Sequence, residues 1–332
     1  MIKDYVNSRS FREALEIPQT AELEITELAR GEYNINYVFV HPVTGRKLVL
    51  RLNTGSQMHL EHQIEYEYNA LKLLEPSGRT PQAIFVDASL KLLPYGVLVM
   101  EFLSGRPLIY ATDMNKAAAI FADIHALPVR AEDGLICPPN PLAAILDECR
   151  QMVKKYEASP LGELAVKKKI AAMLDKGERL VEKHASEIDM THKCCVNTEL
   201  NAGNFLINDG SPDYLIDWEK PVYGDPAQDL GHFLAPTTTL WKTDVILKKE
   251  DMRFFAAQYI RCVDGRYSDD GLAERVGAFV SLNCLRGITW SAMAWVEYQE
   301  PGRPIKNEAT FKKMCSYLKL DFLEVIDEEF LD

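Results

Sequence analysis

The run Asn197-Thr198-Glu199-Leu200-Asn201-Ala202-Gly203-Asn204 sets a carboxylate at Glu199 and a carboxamide at Asn204. Thirteen residues further on, a second carboxylate, Asp217, ends the apolar pair Leu215-Ile216 and is followed by Trp218-Glu219. A neutral and an anionic oxygen of this kind suit Mg2+, which is held by few protein groups together with phosphates and water. A carboxylate ahead of them can accept or orient the proton of an attacking hydroxyl. Together these parts serve phosphoryl transfer from Mg-ATP to an alcohol. Glu199, Asn204 and Asp217 are the candidate catalytic set, and Asn204 and Asp217 the candidate metal ligands. A plainer alternative stands beside each: a capped turn at Asn204, a strand-end acid at Asp217, and at Glu199 a surface acid in a nucleotide binder that does no chemistry.

Composition sets the bounds on everything else. A chain of 332 residues suits two domains or a two-lobed enzyme rather than one small core. A net charge of -12 opposes nonspecific nucleic-acid binding and favours a neutral or cationic small molecule. The seven cysteines are scattered apart from Cys194-Cys195 and show no Cys-x-x-Cys spacing, so they are expected to be reduced core thiols of a cytoplasmic protein. The start Met1-Ile2-Lys3-Asp4-Tyr5 is not that of a signal peptide, and no stretch is apolar enough to span a membrane. Oligomeric state leaves no legible mark.

The elements that must carry these groups fall into two parts. Up to about residue 102 the pattern favours strands (Leu23 to Leu28, Gly31 to Val40, Lys47 to Leu52, Val97 to Phe102) with one helix from about His59 to Leu74. Beyond it the periodicity is helical over Lys116 to Leu127, Pro141 to Tyr156, Glu163 to His184, Asp251 to Cys262, Gly271 to Tyr298 and Glu308 to Tyr317. Between helices, Phe205-Leu206-Ile207 and Tyr214-Leu215-Ile216 flank the turn Asn208-Asp209-Gly210-Ser211-Pro212 and read as a hairpin with Asn204 and Asp217 at one mouth. The division expected is residues 1–102 as a nucleotide-binding lobe and 103–332 as a helical lobe with the catalytic loop and acceptor site.

The segment from Asn197 to Glu219 resembles the catalytic core of the aminoglycoside phosphotransferase and choline kinase superfamily, whose motif reads His-Gly-Asp-x-His-x-x-Asn and then Ile-Asp-Trp/Phe-Glu. Asn197 stands at the first His and Glu199 at the Asp. Glu is one methylene longer, so geometry must compensate. The resemblance implies an α+β, protein-kinase-like two-lobed fold with a strand-rich N-terminal lobe and a mostly helical C-terminal lobe. It also implies ATP and Mg2+ as cofactors. By that resemblance, the turn with Gly31 and Asn34 covers the phosphates, and Arg51 takes the place of the phosphate-binding Lys, able to grip two oxygens at once. Glu67 pairs with Arg51 from the helix Glu65-Tyr66-Glu67, and backbone groups of Glu101 and Leu103 meet the adenine edge. A hairpin turn at Gly31 and a solvated charge at Glu67 are the bland alternatives.

The same resemblance makes His125 a buried, hydrogen-bonded residue behind the catalytic loop, and has Asp229 open a helix and tie back to that loop. Asp225 faces the cleft or steadies its turn. Trp241, Trp290, Trp295 and Tyr298, with Asp264, Asp269, Asp270, Glu297 and Glu300, suit an amine by cation-π and charge contacts, or else a packed core with a solvated acidic face. The function implied is transfer of the γ-phosphate of ATP to a hydroxyl of a small, amine-bearing acceptor. Two alternatives stay open: a nucleotide-binding pseudokinase without transfer, and a choline or ethanolamine kinase.

Overall fold

The computed structural model describes every residue except 32, 57, 59, 188–190, 211, 269, 301–306 and 332. The chain divides into two compact units, Met1–Pro107 with Asn204–Pro221, and Leu108–Gly203 with Val222–Asp332.

The first unit is built on a five-stranded antiparallel sheet, β1 (Ile25–Arg30), β2 (Asn34–Val40), β3 (Lys47–Asn53), β4 (Ala83–Asp87) and β5 (Gly96–Glu101), in the order β1-β2-β3-β5-β4. The central β3, Lys-Leu-Val-Leu-Arg-Leu-Asn, is buried on both faces, and its alternation sends Leu48, Leu50 and Leu52 to one side and Arg51 to the other. The leucine side is covered by two helices that periodicity did not reveal, α1 (Ile2–Val6) and α2 (Arg9–Ala14). Tyr5, Val6 and Phe11 pack there against Phe39, Leu50 and Val99. Helices of five and six residues are too short to show a 3.6-residue period, and packing rather than propensity holds them. The Ser8 hydroxyl accepts from the Phe11 amide at 3.3 Å to start the second.

Helix α3 (Gln63–Leu74) packs on β4 and β5, burying Ile64, Glu67, Ala70, Leu71 and Leu74. It begins later than the expected start near His59, which itself lies outside the described residues. The unit is completed by a short hairpin of β7 (Phe205–Leu206) and β8 (Tyr214–Leu215), with Phe205 opposite Leu215. Its turn closes where Asp213 accepts from the Asn208 amide at 2.7 Å; Ser211 lies outside the described residues.

The second unit is mostly helical: α4 (Tyr110–His125), α5 (Pro141–Ala158), α6 (Leu164–His184), α7 (Pro226–Leu234), α8 (Pro236–Lys242), α9 (Lys249–Val263), α10 (Leu272–Gln299), α11 (Glu308–Tyr317) and α12 (Leu320–Phe330). A two-stranded ladder pairs β6 (Cys194–Val196) with β9 (Val222–Gly224). Helix α10 is apolar nearly all round, as a helix at the centre of a bundle must be, and packs against α5, α6, α7, α8, α11 and α12. Helix α7 comes so close to α10 that a Cβ on Gly231 would stand 2.3 Å from that of Phe279. Four of the seven cysteines (Cys149, Cys194, Cys195 and Cys284) are core thiols, whereas Cys137 is exposed. Among the described residues no helix is long and apolar enough to cross a membrane.

Candidate active site

In the first unit, Arg51 is buried at 6% exposure on the α3 side of the sheet. Its Nε donates to Asn36 Oδ1 on the neighbouring strand at 3.0 Å. Its Nη1 donates to Glu67 from α3 and to Asp217 Oδ1 at 3.2 Å. Glu67 is the residue the sequence pairs with Arg51, while Glu65 lies exposed on another face. The second Glu67 oxygen is buried without a hydrogen-bond partner among the described residues. Asn34, which follows the Gly31 turn, donates to Glu219, so three acids gather round one guanidinium. Burial and then the neighbouring Asp217 charge push the Glu219 carboxyl up to about 7, and Arg51 offsets only part of this. Burial works against the Arg51 charge, but Glu67 and Asp217 outweigh it and hold the guanidinium above its ordinary range. Lys220, also buried, is a second positive charge acting on Glu219, so three acids face two cations.

The hairpin register brings the two candidate metal ligands together. Ile216 donates its amide to the Asn204 carbonyl at 2.9 Å, so Asn204 and Asp217 emerge at the same open end. Asp217 sits at φ 68°, a left-handed conformation that Asp tolerates better than most residues and that recurs at functional turns. Trp218 pins this turn, being fully buried and donating Nε1–H to the Leu215 carbonyl at 3.0 Å. From α3, Gln63 donates to the Glu219 carbonyl at 2.6 Å and Tyr66 to that of Pro221.

Other residues expected at the nucleotide are placed less simply. The Gly31 amide donates to the Asn34 carbonyl at 2.8 Å. The Asn34 side chain donates to Glu219 and accepts from Asn53 Nδ2 at 3.0 Å. Both groups are therefore engaged within the protein rather than held out as phosphate donors. Glu32, in the same turn, lies outside the described residues. The Glu101 amide is likewise spent on the Gln82 carbonyl at 2.9 Å, whereas Leu103 makes no backbone–backbone hydrogen bond among the described residues.

In the second unit, the loop after β6 is held through its backbone. Asp229 is fully buried and accepts from the Asn197 amide at 2.9 and 2.8 Å and from the Thr198 amide at 3.0 Å. The Asn197 side chain accepts from the Glu199 amide at 2.8 Å, and His232 Nδ1 from the Leu200 amide at 3.1 Å. Four consecutive amides are thereby fixed, which explains how an Asn serves at Asn197: its side-chain oxygen closes an Asx turn over the next peptide. Behind them His125 is fully buried, bonded through Nε2 to Asp229 at 3.2 Å and through Nδ1 to the Tyr259 hydroxyl at 2.7 Å. Asp229 does not open its helix as expected. Asp225 is the N-cap of α7, accepting from the Ala227 amide at 2.9 Å while Arg275 grips its carboxylate at 2.6 Å, which settles Asp225 as a turn residue.

A model of the family described as "Phosphotransferase enzyme family" matches residues 24–259, a span that takes in Arg51, Glu67, the Asn197 loop, Asp217 and Asp229. The chain belongs to the phosphotransferase enzyme family. Solved structures agree in fold. Ethanolamine kinase from Plasmodium vivax superposes with a TM-score of 0.66 at 13% identity, over 99% of this chain and 90% of that one. Choline kinase from Cryptosporidium parvum gives 0.65 at 16% identity, over 99% and 97%. Spectinomycin phosphotransferase, solved with ADP and spectinomycin, gives 0.61 at 14% identity, over 93% of each. The fold is thus the kinase-like α+β fold of aminoglycoside phosphotransferases and choline kinases, and the family is one of phosphotransferases.

Sequence reasoning missed several of this phosphotransferase's supporting residues. Thr198 occupies the motif's glycine position and takes φ 66°, a conformation costly for a β-branched residue; the motif's Gly was the signal that a positive φ is required there. His232 and Arg275 had no local signal, because only tertiary packing brings them to the loop and to Asp225. Among the aromatics, Trp241 and Trp290 meet edge to face at 5.3 Å in a cluster with Tyr298, Phe311 and Met314, while Trp295 packs on Tyr156 at 5.8 Å. Glu297 and Glu300 pair with Lys155 at 3.2 and 3.1 Å, and Asp264 caps α9 in a left-handed turn. Asp269 lies outside the described residues. Core packing and surface pairing account for most of the supposed acceptor face.

Proposed function

We propose that this phosphotransferase uses ATP and Mg2+ and transfers the γ-phosphate directly to a hydroxyl of a small, amine-bearing acceptor. The observation that carries the reading is the cluster of Glu67, Asp217 and Glu219 round Arg51, with Lys220 a second positive charge near Glu219 and Asn204 held beside Asp217 by the hairpin. Its donor set is hard oxygen with an excess of negative charge, which suits a divalent ion that arrives with phosphates. When bound, Mg2+ would neutralise charge on the transferring phosphoryl group, with Asn204 and Asp217 holding it.

In this reading Arg51 grips phosphate oxygens, Leu103 offers its backbone to the adenine edge, and Glu199 accepts and orients the acceptor hydroxyl's proton. Gly31, Asn34, Glu67 and Glu101 shape the nucleotide side. No covalent phosphoenzyme is needed. The amine preference rests on the charge of -12 and on the acceptors for which the ethanolamine and choline kinases are named.

ADP formation from Mg-ATP, measured over a panel of aminoglycosides, spectinomycin, choline, ethanolamine and other amino-alcohols, tests the proposal. Turnover with one acceptor class supports it. Nucleotide binding without turnover across the panel would replace it with a pseudokinase. In an active enzyme, Asp217→Ala should abolish turnover with the fold retained, and Glu199→Gln should lower kcat far more than nucleotide affinity. Wild-type rates in either would remove that residue's role.

A further inference from the structure

The catalytic loop is anchored from a second side by a group that neither the motif nor the sequence suggested. Arg286, on α10, has a side chain only 15% exposed. Its Nε donates to Glu148 Oε2 at 2.8 Å and its Nη2 to Glu148 Oε1 at 3.4 Å, a two-pronged grip that fixes the guanidinium plane. The remaining edge faces the loop. Nη1 donates to the Thr198 carbonyl at 3.4 Å, and Nη2 lies 3.8 Å from Glu199 Oε1. Thr198 is therefore held at both peptide groups, its amide by Asp229 and its carbonyl by Arg286, and it is this double hold that keeps a β-branched residue at φ 66°.

We propose that Arg286, braced by Glu148, is the positioning residue for Glu199: it draws the carboxylate back toward α10 and so takes up the methylene by which Glu exceeds the motif's Asp. The proposal rests on the kinase reading for its kinetic consequence but not for its geometry. Arg286 touches neither substrate nor nucleotide in this role; it sets the rotamer of the group that does. Arg286 stays charged throughout, since Glu148 and Glu199 outweigh the burial that opposes its charge.

The test is a double-mutant cycle on the full chain, with ADP formation from Mg-ATP measured using ethanolamine, choline and spectinomycin as acceptors, alongside amide exchange of residues 198–200. Arg286→Met is expected to lower kcat about 100-fold, the scale of an ångström-sized misplacement, with KM for ATP within about twofold, and Arg286→Lys to recover part of the loss. In a Glu199→Asp background the same Arg286→Met change should cost less than about fivefold, because the shorter acid no longer needs drawing back. Equal costs in the two backgrounds would overturn the proposal, as would an unchanged kcat. Should Arg286→Met fail to fold, Glu148→Gln, which loosens the grip while keeping a hydrogen-bond acceptor, replaces it in the cycle with the same expected coupling. If the wild type forms no ADP with any acceptor, the kinase reading falls by itself, and exchange decides the clamp. Amides 198–200 exchanging at least about tenfold faster in the variant, with those of α5 unchanged, uphold it; unaltered exchange refutes it.

Discussion

Replacing Asp229 by Ala should reveal how much of the loop's geometry is imposed from outside it. The carboxylate is fully buried and accepts from the amides of Asn197 and Thr198 and from His125. Removing it strands two backbone N–H groups and an imidazole, each costing about 1–3 kcal/mol when left unsatisfied. Part of this is returned, because Thr198 is no longer held in a conformation that costs about 1–3 kcal/mol. At mid-range the net loss expected is about 4 kcal/mol, a large share of the roughly 5–15 kcal/mol that stabilises an ordinary domain. Asp229→Asn, which keeps one acceptor oxygen, should lose less. Urea denaturation followed by tryptophan fluorescence measures both variants, and amide exchange at residues 197 and 198 localises the effect. A loss below about 1 kcal/mol for Asp229→Ala would refute the reasoning, since it would mean that those amides find other partners at no cost.

Thr198→Gly should stabilise the chain by about 1 kcal/mol, the Cβ penalty of the left-handed region less the extra freedom of glycine in the unfolded chain, and an unchanged or lower urea midpoint would contradict it. In the first unit, Arg51→Met should be destabilised by about 3–5 kcal/mol because it leaves Glu67 buried, and Asp217 half-buried, without their cation. Glu67→Gln should cost distinctly less, and the reverse order in a denaturant series would rule out this account of the cluster. Glu219 is raised from an ordinary 4.5 to about 7, so the folded state holds its proton more tightly than the unfolded chain. Its contribution is thus complete below pH 4.5 and lost as pH rises through about 7. With magnesium chelated, Glu219→Gln should match the wild type at low pH and exceed it in stability near pH 8; parallel stability curves across that window would refute it.

The large helices and the central strands were legible because each carries its own signal. Pro141 follows a capping Asn140, β3 is apolar from Leu48 to Leu52 apart from Arg51, and α10 is apolar nearly all round. Helix α12 also carried one, in Leu323, Ile326 and Phe330 at helical spacing, although it went unread. The short N-terminal helices carried none, and neither did the interior placement of Asp229 in α7. Their residues are held by contacts with elements far along the chain, as when Phe11 meets Phe85 at 5.8 Å.

The local chemistry at the site was likewise written in the chain. Motif spacing placed Glu199 five residues before Asn204 and set Asp217 at the end of a hairpin strand, and the family resemblance paired Arg51 with Glu67. What only the tertiary structure decided is which distant groups hold these parts in place. Asp229 and His232 fix the loop's amides, Arg286 holds its carbonyl and lies near its carboxylate, and Glu219 adds a third acid beside Arg51. Short-range propensities and spacing act within a few residues. Hydrogen bonds that satisfy a buried amide or carboxylate act between whichever groups packing brings within about 3 Å, and that proximity is a property of the folded core rather than of neighbouring letters.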